Sequence, residues 1–571
     1  MGLSGYLIGG TIRDLVLDRP VKDIDIAVNT SPESFLKKLS WKIAGYSICL
    51  DREFLTFRFM PRCQDRTGAE GQGDAEDQPT GQGQASVEVQ TGEPGQIMEQ
   101  EQGRGRGESQ IRGHDHLPAD HCQYWFDFTP LKGDSIAQDL LKRDFTINAM
   151  AVNLKDLLNR DAPLCLIDPI GGIGDLSQRT VRAISEEVFR DDPLRILRAY
   201  RLAGQLDFRI EEKTGSLIQR DRDLIKNTAP ERIREELFLI LSLDRSKTPL
   251  ELLHQNGLLP ILFSPALPGL PEMARSAELP AWAKLPGMAK LPGLTNLPEL
   301  TELAEPHGEA FPDVPASAWA DALEILASVE EIFFSLPIHD PECLRMVQNM
   351  LSQTAGHQTT YKPLLKLAAF LSALPHVRNS GQKGDSSQVR TRENWDWLDS
   401  FLRWLCLSTP QRKYAIACVQ GLQRSWEMIR DCCCTPRYFY RFFRDFGDAG
   451  IGALIIGMAY HKTAGRSAAD TARHGATGAS KGIGKASFET VSAIQGDMSS
   501  LFNRMIGFYR DWQKNRLHPI MDGKFLIDYF HLSPGPVIGD ILNLLEEARA
   551  EGEIQTRDDA IELARQLLQV K

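Results

Sequence analysis

The sequence predicts an α+β protein: a small mixed-sheet head followed by all-helical neck, body and tail domains. Three observations support this fold class. Short apolar runs with strand-like spacing lie near the N-terminus, at residues 6–28, 41–60 and 124–128. From about residue 176 onward, apolar residues recur with helical spacing instead. The 571 residues are enough for three or four domains with ample cores.

Composition excludes several classes of protein. The chain is 42% hydrophobic and 25% charged, which is typical of globular proteins. No apolar run reaches the roughly 18–20 residues that span a bilayer, and the start lacks the features of a signal peptide. We therefore expect a cytoplasmic protein without a membrane partner. The net charge of −11 does not exclude nucleic acid, because much of the acid lies in spacer-like segments and local basic faces matter more.

The most informative stretch is residues 6–28. In a strand, Asp23 and Asp25 would point to the same face, and two such close carboxylates repel each other unless a cation lies between them. Mg²⁺ prefers hard oxygen ligands of this kind. Upstream, Gly9 and Gly10 stand between an apolar run and a helix-like segment, where backbone N–H groups can approach a phosphate. A solvated acidic face is the alternative; the combination indicates nucleotidyl transfer.

The rest of the head contains more strands around a polar segment. Trp41–Ser47 and Phe54–Phe59 are predicted strands. Residues 62–123 are rich in Gly, Gln, Glu, Asp and Arg with few bulky apolar residues, so a disordered insertion is expected there. The aromatic strand over residues 124–128 carries a carboxylate at Asp127.

The segment Asp139–Ala151 is predicted to be an amphipathic helix. Lys142, Arg143, Asp144 and Asn148 would cluster on or near one of its faces. A solvated face is one interpretation. The other is that Arg143, Asp144 and Asn148 contact a ribose and triphosphate.

A further helix is predicted over residues 190–206. Asp192 and Arg195 stand three residues apart, as in an intrahelical ion pair, but could also present acceptors and donors to the Watson–Crick edge of a base. Arg232 and Glu236, four apart on the following amphipathic helix, are expected to brace that helix.

The C-terminal half reads as helices interrupted by two segments of biased composition. Arginines alternate with aromatic residues over 437–444, which favours a core with a basic rim over a direct RNA surface. The predicted domains are a head over 1–170, a neck over 171–245, a body over 246–450 with a Pro-rich insertion at 264–300, and a tail over 451–571 with a flexible insertion at 463–490.

These motifs, in their order, resemble those of class II tRNA nucleotidyltransferases, a family that includes CCA-adding enzymes and bacterial poly(A) polymerases. The resemblance covers residues 6 to about 245. It rests on Gly9-Gly10-x-x-Arg13-Asp14, Asp23-x-Asp25, Lys142-Arg143-Asp144-Phe-Thr-Ile-Asn148-Ala, Gly171-Gly-x-Gly-Asp175, Asp191-Asp192-Pro-Leu-Arg195-Ile-Leu-Arg198-Ala and Arg232-x-x-x-Glu236. Each motif alone is weak, but the ordered set is specific.

The resemblance implies a polymerase-β-like head, a neck that reads the base, and helical domains that hold tRNA. It implies Mg²⁺ as cofactor, CTP, ATP and the tRNA 3′ end as partners, and no identifiable protein partner. Its implied site residues are the metal ligands Asp23 and Asp25, a candidate third catalytic carboxylate at Asp127, the triphosphate-binding Gly9, Gly10 and Arg13, the sugar- and phosphate-binding Arg143, Asp144 and Asn148, the base-reading Asp192 and Arg195, and a phosphate contact at Arg198.

Three departures from the family pattern qualify this interpretation. Asp191 stands where the family usually has Glu. The link between the Asp127 strand and Asp139 is about ten residues, whereas members that switch from CTP to ATP often carry a longer loop there. Ser372-Ala373 stands where some relatives carry a metal-binding His-Asp pair, so the body is expected to be a degenerate HD-like region without phosphohydrolase activity.

We therefore expect template-independent, Mg²⁺-dependent addition of C and/or A to the 3′ end of tRNA. Within the family, a CC-adding enzyme, an A-adding enzyme and a poly(A) polymerase remain alternatives. From another class, a catalytically silent RNA-binding protein is the alternative, although such a protein would not need Asp23, Asp25, Arg143, Asp192 and Arg195 together.

Overall fold

The structure is a computed structural model. It describes residues 4–61, 124–158, 164–263, 314–374, 397–473 and 498–569, except for a few positions inside these ranges: 22, 41, 44, 52–54, 315, 357–358, 431–434 and 517–518. The chain divides into two compact units. The first comprises residues 1–143 and 147–173, and the second comprises residues 144–146 and 174–571.

The first unit is built on a mixed seven-stranded sheet. Its strand order is β3-β4-β5-β2-β1-β6-β7, and all neighbours are antiparallel except β2 and β5, which run parallel. The strands are β1 (Gly5–Ile8), β2 (Asp23–Val28), β3 (Gly45–Asp51), β4 (Thr56–Pro61), β5 (Trp125–Pro130), β6 (Ala151–Asn153) and β7 (Leu166–Ile167).

Short helices accompany this sheet. They are α1 (Gly10–Val16), α2 (Pro32–Ser40), α3 (Ile136–Leu141) and α4 (Leu154–Leu158). Helix α5 (Gly172–Ser177) and a 3₁₀ turn at Thr146–Asn148 each include residues of both units. Helix α2 packs on the sheet through Phe35, whose ring lies 5.1 Å from that of Phe128. Leu7, Ile26 and Phe59 are buried in the same core, because the strand register turns them to the face of the sheet that carries Phe128.

The second unit is almost entirely helical in its described residues. It contains β8 (Thr180–Val181) paired in parallel with β9 (Arg209–Ile210), a 3₁₀ helix at Arg222–Asn227, and a helical stretch over 397–404. The remaining helices are α6 (Val188–Asp191), α7 (Arg195–Leu206), α8 (Glu212–Asp221), α9 (Pro230–Ser242), α10 (Lys247–Gln255), α11 (Leu259–Leu262), α12 (Ala316–Phe334), α13 (Pro341–Ser352), α14 (Tyr361–Ser372), α15 (Thr409–Arg430), α16 (Pro436–Phe446), α17 (Ala449–Arg473), α18 (Met498–Arg516), α19 (Gly523–Phe530), α20 (Pro536–Glu551) and α21 (Arg557–Gln569).

The last three helices share their own apolar cluster, which includes Leu526, Leu545 and Ala560. The predicted fold class, a mixed-sheet α+β head followed by helical domains, is confirmed. None of the described helices is long and apolar enough to cross a membrane.

The predicted helix over Asp139–Ala151 is wrong. Helix α3 ends at Leu141, and the chain continues through the 3₁₀ turn into β6. Phe145, Ile147 and Met150 are fully buried. Because residues 144–151 are all buried, an amphipathic helix with a solvated face does not describe them, and Ala151 pairs with β1 instead.

The single helix predicted over residues 190–206 is also wrong, since the structure breaks it between α6 and α7. Asp192 lies in the break with extended backbone angles, φ −151° and ψ 101°. Pro193 explains the break, because a proline disfavours helical angles in the residue before it.

Other boundaries shift less. The strands predicted at 41–47 and 54–59 are β3 and β4, each displaced a few residues toward the C-terminus. Helix α17 runs to Arg473, so the insertion predicted as flexible at 463–490 begins as helix; its alanine content favours that conformation. Residues 474–490, like the predicted insertions at 62–123 and 264–300, lie outside the described residues.

Candidate active site

Three carboxylates lie on adjacent strands of the first unit. Asp23 and Asp25 are two residues apart on β2, and Asp127 on β5 is directly in register with Asp25. Cross-strand partners point to the same face of a sheet, so Asp127 lies on the face of Asp23 and Asp25, as expected of a candidate third carboxylate. On the far side of Asp127, β4 brings in Arg58, again directly in register.

Arg58 binds two of these carboxylates. Its Nε and Nη2 donate to the two oxygens of Asp127, each at 2.8 Å, and Nη2 lies 3.6 Å from Asp23 Oδ1. The guanidinium also lies over the ring of Trp125, 4.6 Å from its centre. The carboxylates raise the pKa of Arg58, chiefly through the hydrogen bonds with Asp127.

Thr11 fixes the backbone between the two β2 carboxylates. Its hydroxyl accepts from the N–H of Asp25 at 2.9 Å and donates to the carbonyl of Asp23 at 3.3 Å. Pairing between β1 and β2 ends at Leu7 and Ile26. The buried Thr11 side chain therefore satisfies backbone groups that no longer have a partner on β1.

Gly9 lies between a carboxylate and an arginine. Its φ of +67° is in the left-handed region that favours glycine. A Cβ there would be 2.9 Å from Arg143 Nη1 and 3.6 Å from Asp25 Oδ2. The Gly9 N–H donates to Met150 O at 3.2 Å, so its contribution is close approach of the backbone rather than an open amide. Gly10 follows as the first residue of α1.

Arg143 is held by a buried carboxylate. Its Nε and Nη2 donate to Asp139 Oδ2 at 3.1 and 2.9 Å, while the other oxygen of Asp139 accepts from the Lys132 N–H at 2.8 Å. This arrangement leaves Nη1 on the side that faces Gly9.

Arg13 is buried rather than presented at the surface. Its Nε and Nη2 donate to Asp14 at 2.9 and 2.8 Å, and its Nη1 donates to Asn148 Oδ1 at 2.8 Å. The two predicted nucleotide-binding residues Arg13 and Asn148 therefore contact each other, and α1 is tied to the segment that precedes β6.

The electrostatics around Asp25 are unfavourable to its own charge. Burial, and then the neighbouring Asp127 and Asp23, raise its pKa to about 6, although Arg143 and Arg13 oppose the rise. A divalent cation would relieve this repulsion, so the paired β2 carboxylates fit Mg²⁺. Within the described residues, no three His, Cys, Asp or Glu side chains form a ready metal site. Asp127 is instead bound to Arg58.

In the second unit, Asp144 and Arg198 are partners of each other. Arg198 Nε donates to Asp144 Oδ2 at 2.9 Å, and its Nη1 donates to Glu236 Oε1 at 3.2 Å. Glu236 also accepts from Arg201 Nε at 2.7 Å. These carboxylates raise the pKa of Arg198. Both residues were predicted to contact nucleotide; here they join α7 to α9 and to the chain at Asp144.

Asp192 is held at the break between α6 and α7. It accepts from Arg232 Nη1 and Nη2 at 3.2 and 2.8 Å and from the Leu194 N–H at 3.2 Å. The bracing contacts expected of Arg232 and Glu236 are therefore present. Arg195 begins α7 and lies beside Asp192, not on a common helix with it as predicted.

Sequence reasoning missed three residues of this site: Arg58, Thr11 and Asp139. Arg58 lies within a strand that has no other polar signature, so only its register with Asp127 identifies it. Thr11 follows the double glycine directly, and a small hydroxyl at that place was the available signal. Asp139 stands four residues before Arg143, a spacing that indicates a helical ion pair.

Two protein families match successive parts of the chain. Residues 5–182 match the poly A polymerase head domain, and residues 207–272 match the probable RNA and SrmB-binding site of polymerase A. The first match contains every residue of the first unit described above, and the second contains Arg232 and Glu236.

Curated relatives align over the same part. The chain is 36% identical over 244 residues to a CC-adding tRNA nucleotidyltransferase of Geobacter sulfurreducens, covering 42% of this chain and 41% of that one. It is 30% identical over 255 residues to a CCA-adding enzyme of Lactobacillus delbrueckii subsp. bulgaricus, covering 43% and 48%. The chain thus spans less than half of the length of these relatives.

The fold has a counterpart among solved structures. A CCA-adding enzyme complexed with CTP superposes with a TM-score of 0.53 at 17% sequence identity, covering 99% of this chain and 92% of that one. At this identity the likeness concerns the fold alone. The family matches identify residues 5–182 as a poly A polymerase head domain and residues 207–272 as a probable RNA and SrmB-binding site of polymerase A.

Proposed function

We propose that this protein transfers CMP and/or AMP from CTP and ATP to the 3′ end of tRNA without a template. The observation that carries the proposal is the pair Asp23 and Asp25, fixed by Thr11 beside Gly9 and Arg143. A paired-carboxylate cation site next to a close backbone approach and a guanidinium suits a triphosphate whose α-phosphate is attacked.

The candidate site residues of the first unit each have a role in this proposal. Asp23 and Asp25 would hold Mg²⁺, which supplies charge neutralisation at the phosphates and acidifies the attacking 3′-hydroxyl. Arg143 would contact the phosphates through Nη1, because Asp139 already occupies its other nitrogens. Arg13 and Asn148 would act through the contact that joins them, holding α1 to the segment that precedes β6 rather than meeting the nucleotide directly.

In the second unit, Asp192 and Arg195 would recognise the base. A carboxylate has about four acceptor positions, so Asp192 can still accept from a base while Arg232 holds it. Asp144 and Arg198 would support this element through their mutual ion pair. The division into head, neck, body and tail, and a cytoplasmic location, belong to the same proposal.

The test is an extension assay on tRNA transcripts that end before CCA, after C or after CC. Each transcript is incubated with Mg²⁺ and labelled CTP, ATP or both, and product lengths are read at single-nucleotide resolution. We expect extension of at least one transcript by a defined number of nucleotides. Asp25→Asn should lower the rate by about 100-fold or more, because it removes one of two cation ligands.

A matched control is Glu33→Gln, which neutralises a carboxylate of the same unit on α2 whose side chain is 60% exposed. It should extend tRNA at the wild-type rate. Absence of extension by the wild-type chain on all three transcripts, with CTP and ATP present, would refute the proposed function. Long A tails on unrelated RNA would instead identify a poly(A) polymerase.

CC addition is the second candidate, and one structural observation favours it. The connection between β5 and α3 consists of residues 131–135, where family members that proceed from CTP to ATP often carry a longer loop. The Geobacter sulfurreducens relative is named CC-adding. A CC-adding enzyme would extend the transcript ending before CCA by two residues with CTP and leave the CC-ended transcript unchanged with ATP.

A further inference from the structure

Arg58 and Asp127 form an ion pair inside the carboxylate cluster. The two residues face each other across the antiparallel pair β4 and β5, and both nitrogens of the guanidinium edge reach the carboxylate at 2.8 Å. This is the bidentate geometry in which an Arg–carboxylate pair is strongest and most directional.

The pair is shielded from solvent. The side chains of Arg58 and Asp127 are 18% and 13% exposed, and Trp125 covers one face of the guanidinium. Separating such a pair would leave two poorly solvated charges without partners, so the pair resists opening. Asp23 differs, since its side chain is 54% exposed and its contact with Arg58 is a longer 3.6 Å.

Asp25 points elsewhere. Its carboxylate lies beside Gly9, toward Arg143, whereas the oxygens of Asp127 are directed at Arg58. The three carboxylates are therefore neighbours in register without sharing one open centre, which agrees with the absence of a three-ligand cluster among the described residues.

We propose that Arg58 is a positioning residue that keeps Asp127 out of the metal site, so that the divalent cation is held on the protein by Asp23 and Asp25 alone. Arg58 supplies a permanent positive charge at the edge of the cluster, and Asp127 affects the metal site only by holding Arg58 in place. The inference rests on the proposed function and revises the expectation that Asp127 is a third catalytic carboxylate.

The test measures Mn²⁺ binding to the full chain without nucleotide, by calorimetry or by the electron spin resonance signal of free Mn²⁺. Arg58→Met frees Asp127 to join the site, and we expect binding about tenfold tighter or more. The double variant Arg58→Met/Asp127→Asn removes the pair as a unit, and we expect its affinity to stay within about threefold of wild type. Asp25→Asn serves as the reference for loss of a ligand.

If Asp127 were a ligand, the double variant would lose affinity by about tenfold or more, as Asp25→Asn does, and the proposal would be overturned. Crystals of the unmodified chain soaked in MnCl₂ provide a second measurement that does not depend on the folding of variants. Anomalous scattering should locate the ion on Asp23 and Asp25 with the Arg58–Asp127 pair intact. An ion coordinated by Asp127 contradicts the inference. Neither measurement depends on nucleotidyl transfer. A failure of this inference can therefore be distinguished from a failure of the proposed function.

Discussion

Among single residues, Asp25 shows most directly how the site opposes the stability of the fold. In an unfolded chain its pKa would be near 3.8, whereas burial and the adjacent carboxylates raise it to about 6. The folded protein therefore holds this proton more tightly than the unfolded chain does. Stability falls as the pH rises from about 4 to above 6, because ionised Asp25 is disfavoured only in the folded state.

Asp25→Asn should for this reason stabilise the metal-free protein above pH 6, although it lowers the rate of nucleotide transfer by about 100-fold or more. A shift of about 2 pKa units corresponds to at most about 3 kcal/mol. We expect a higher unfolding temperature of the variant at pH 8 in EDTA, and little difference from wild type near pH 4, measured by scanning calorimetry. Asp23→Asn is the matched control, since its side chain is 54% exposed and solvent screens it. Equal unfolding temperatures of Asp25→Asn and wild type at pH 8 would contradict the explanation.

At the scale of elements, the start of β2 depends on a side chain in place of a strand. On the N-terminal side of Ile26, β2 has no pairing partner on β1. There the Thr11 hydroxyl forms hydrogen bonds with the backbone of Asp25 and Asp23 instead. Helix α1, which follows the turn at Gly9, thus supplies through Thr11 the hydrogen bonds that β1 no longer provides. This explains how two repelling carboxylates are held on an otherwise incomplete strand edge.

Thr11→Val should expose the importance of that hydroxyl. The substitution keeps the shape but leaves a backbone N–H and a carbonyl of β2 without this partner, at a cost of about 1–3 kcal/mol. We expect faster hydrogen exchange of the Asp25 amide and slower nucleotide transfer. Thr11→Ser retains the hydroxyl and should behave close to wild type. Unchanged exchange in Thr11→Val would show that β2 does not need the side chain.

The elements also show what sequence can and cannot predict. Residue type and spacing were sufficient to predict that Asp23 and Asp25 lie side by side on one strand, since strand alternation is a local property. The expected bracing by Arg232 is also present, although its partner Asp192 is 40 residues away in sequence. Periodicity failed at Asp139–Ala151, because residues 144–151 are all buried and have no solvated face that would distinguish a helix from another conformation. Arg58 could not be found because a strand register, and not a sequence spacing, brings it to Asp127.

At the scale of the whole second unit, a buried ionic cluster joins four helices. Lys366 on α14 donates to Leu243 O at 2.6 Å, at the end of α9, and to Glu330 on α12 at 2.9 Å. Ser246, at the start of α10, donates its N–H to the same Glu330 oxygen at 2.6 Å. The side chains of Lys366 and Glu330 are 1% and 6% exposed, and burial lowers the pKa of Lys366.

Lys366→Met should loosen these helices together, because it leaves Glu330 buried without its countercharge. Removal of one partner from a buried pair costs about 3–5 kcal/mol, which corresponds to roughly 200- to 5,000-fold faster exchange through opening of that region. Hydrogen exchange with mass spectrometry should show lost protection in α9, α10, α12 and α14, but not in β1 or β2. Adding Glu330→Gln should restore part of the protection, since the uncompensated charge disappears. Lys362→Met, one turn earlier on α14 with a 38% exposed side chain, is the control and should leave exchange unchanged. Equal protection in Lys366→Met and Lys362→Met would mean that packing, and not the buried ion pair, holds the four helices together.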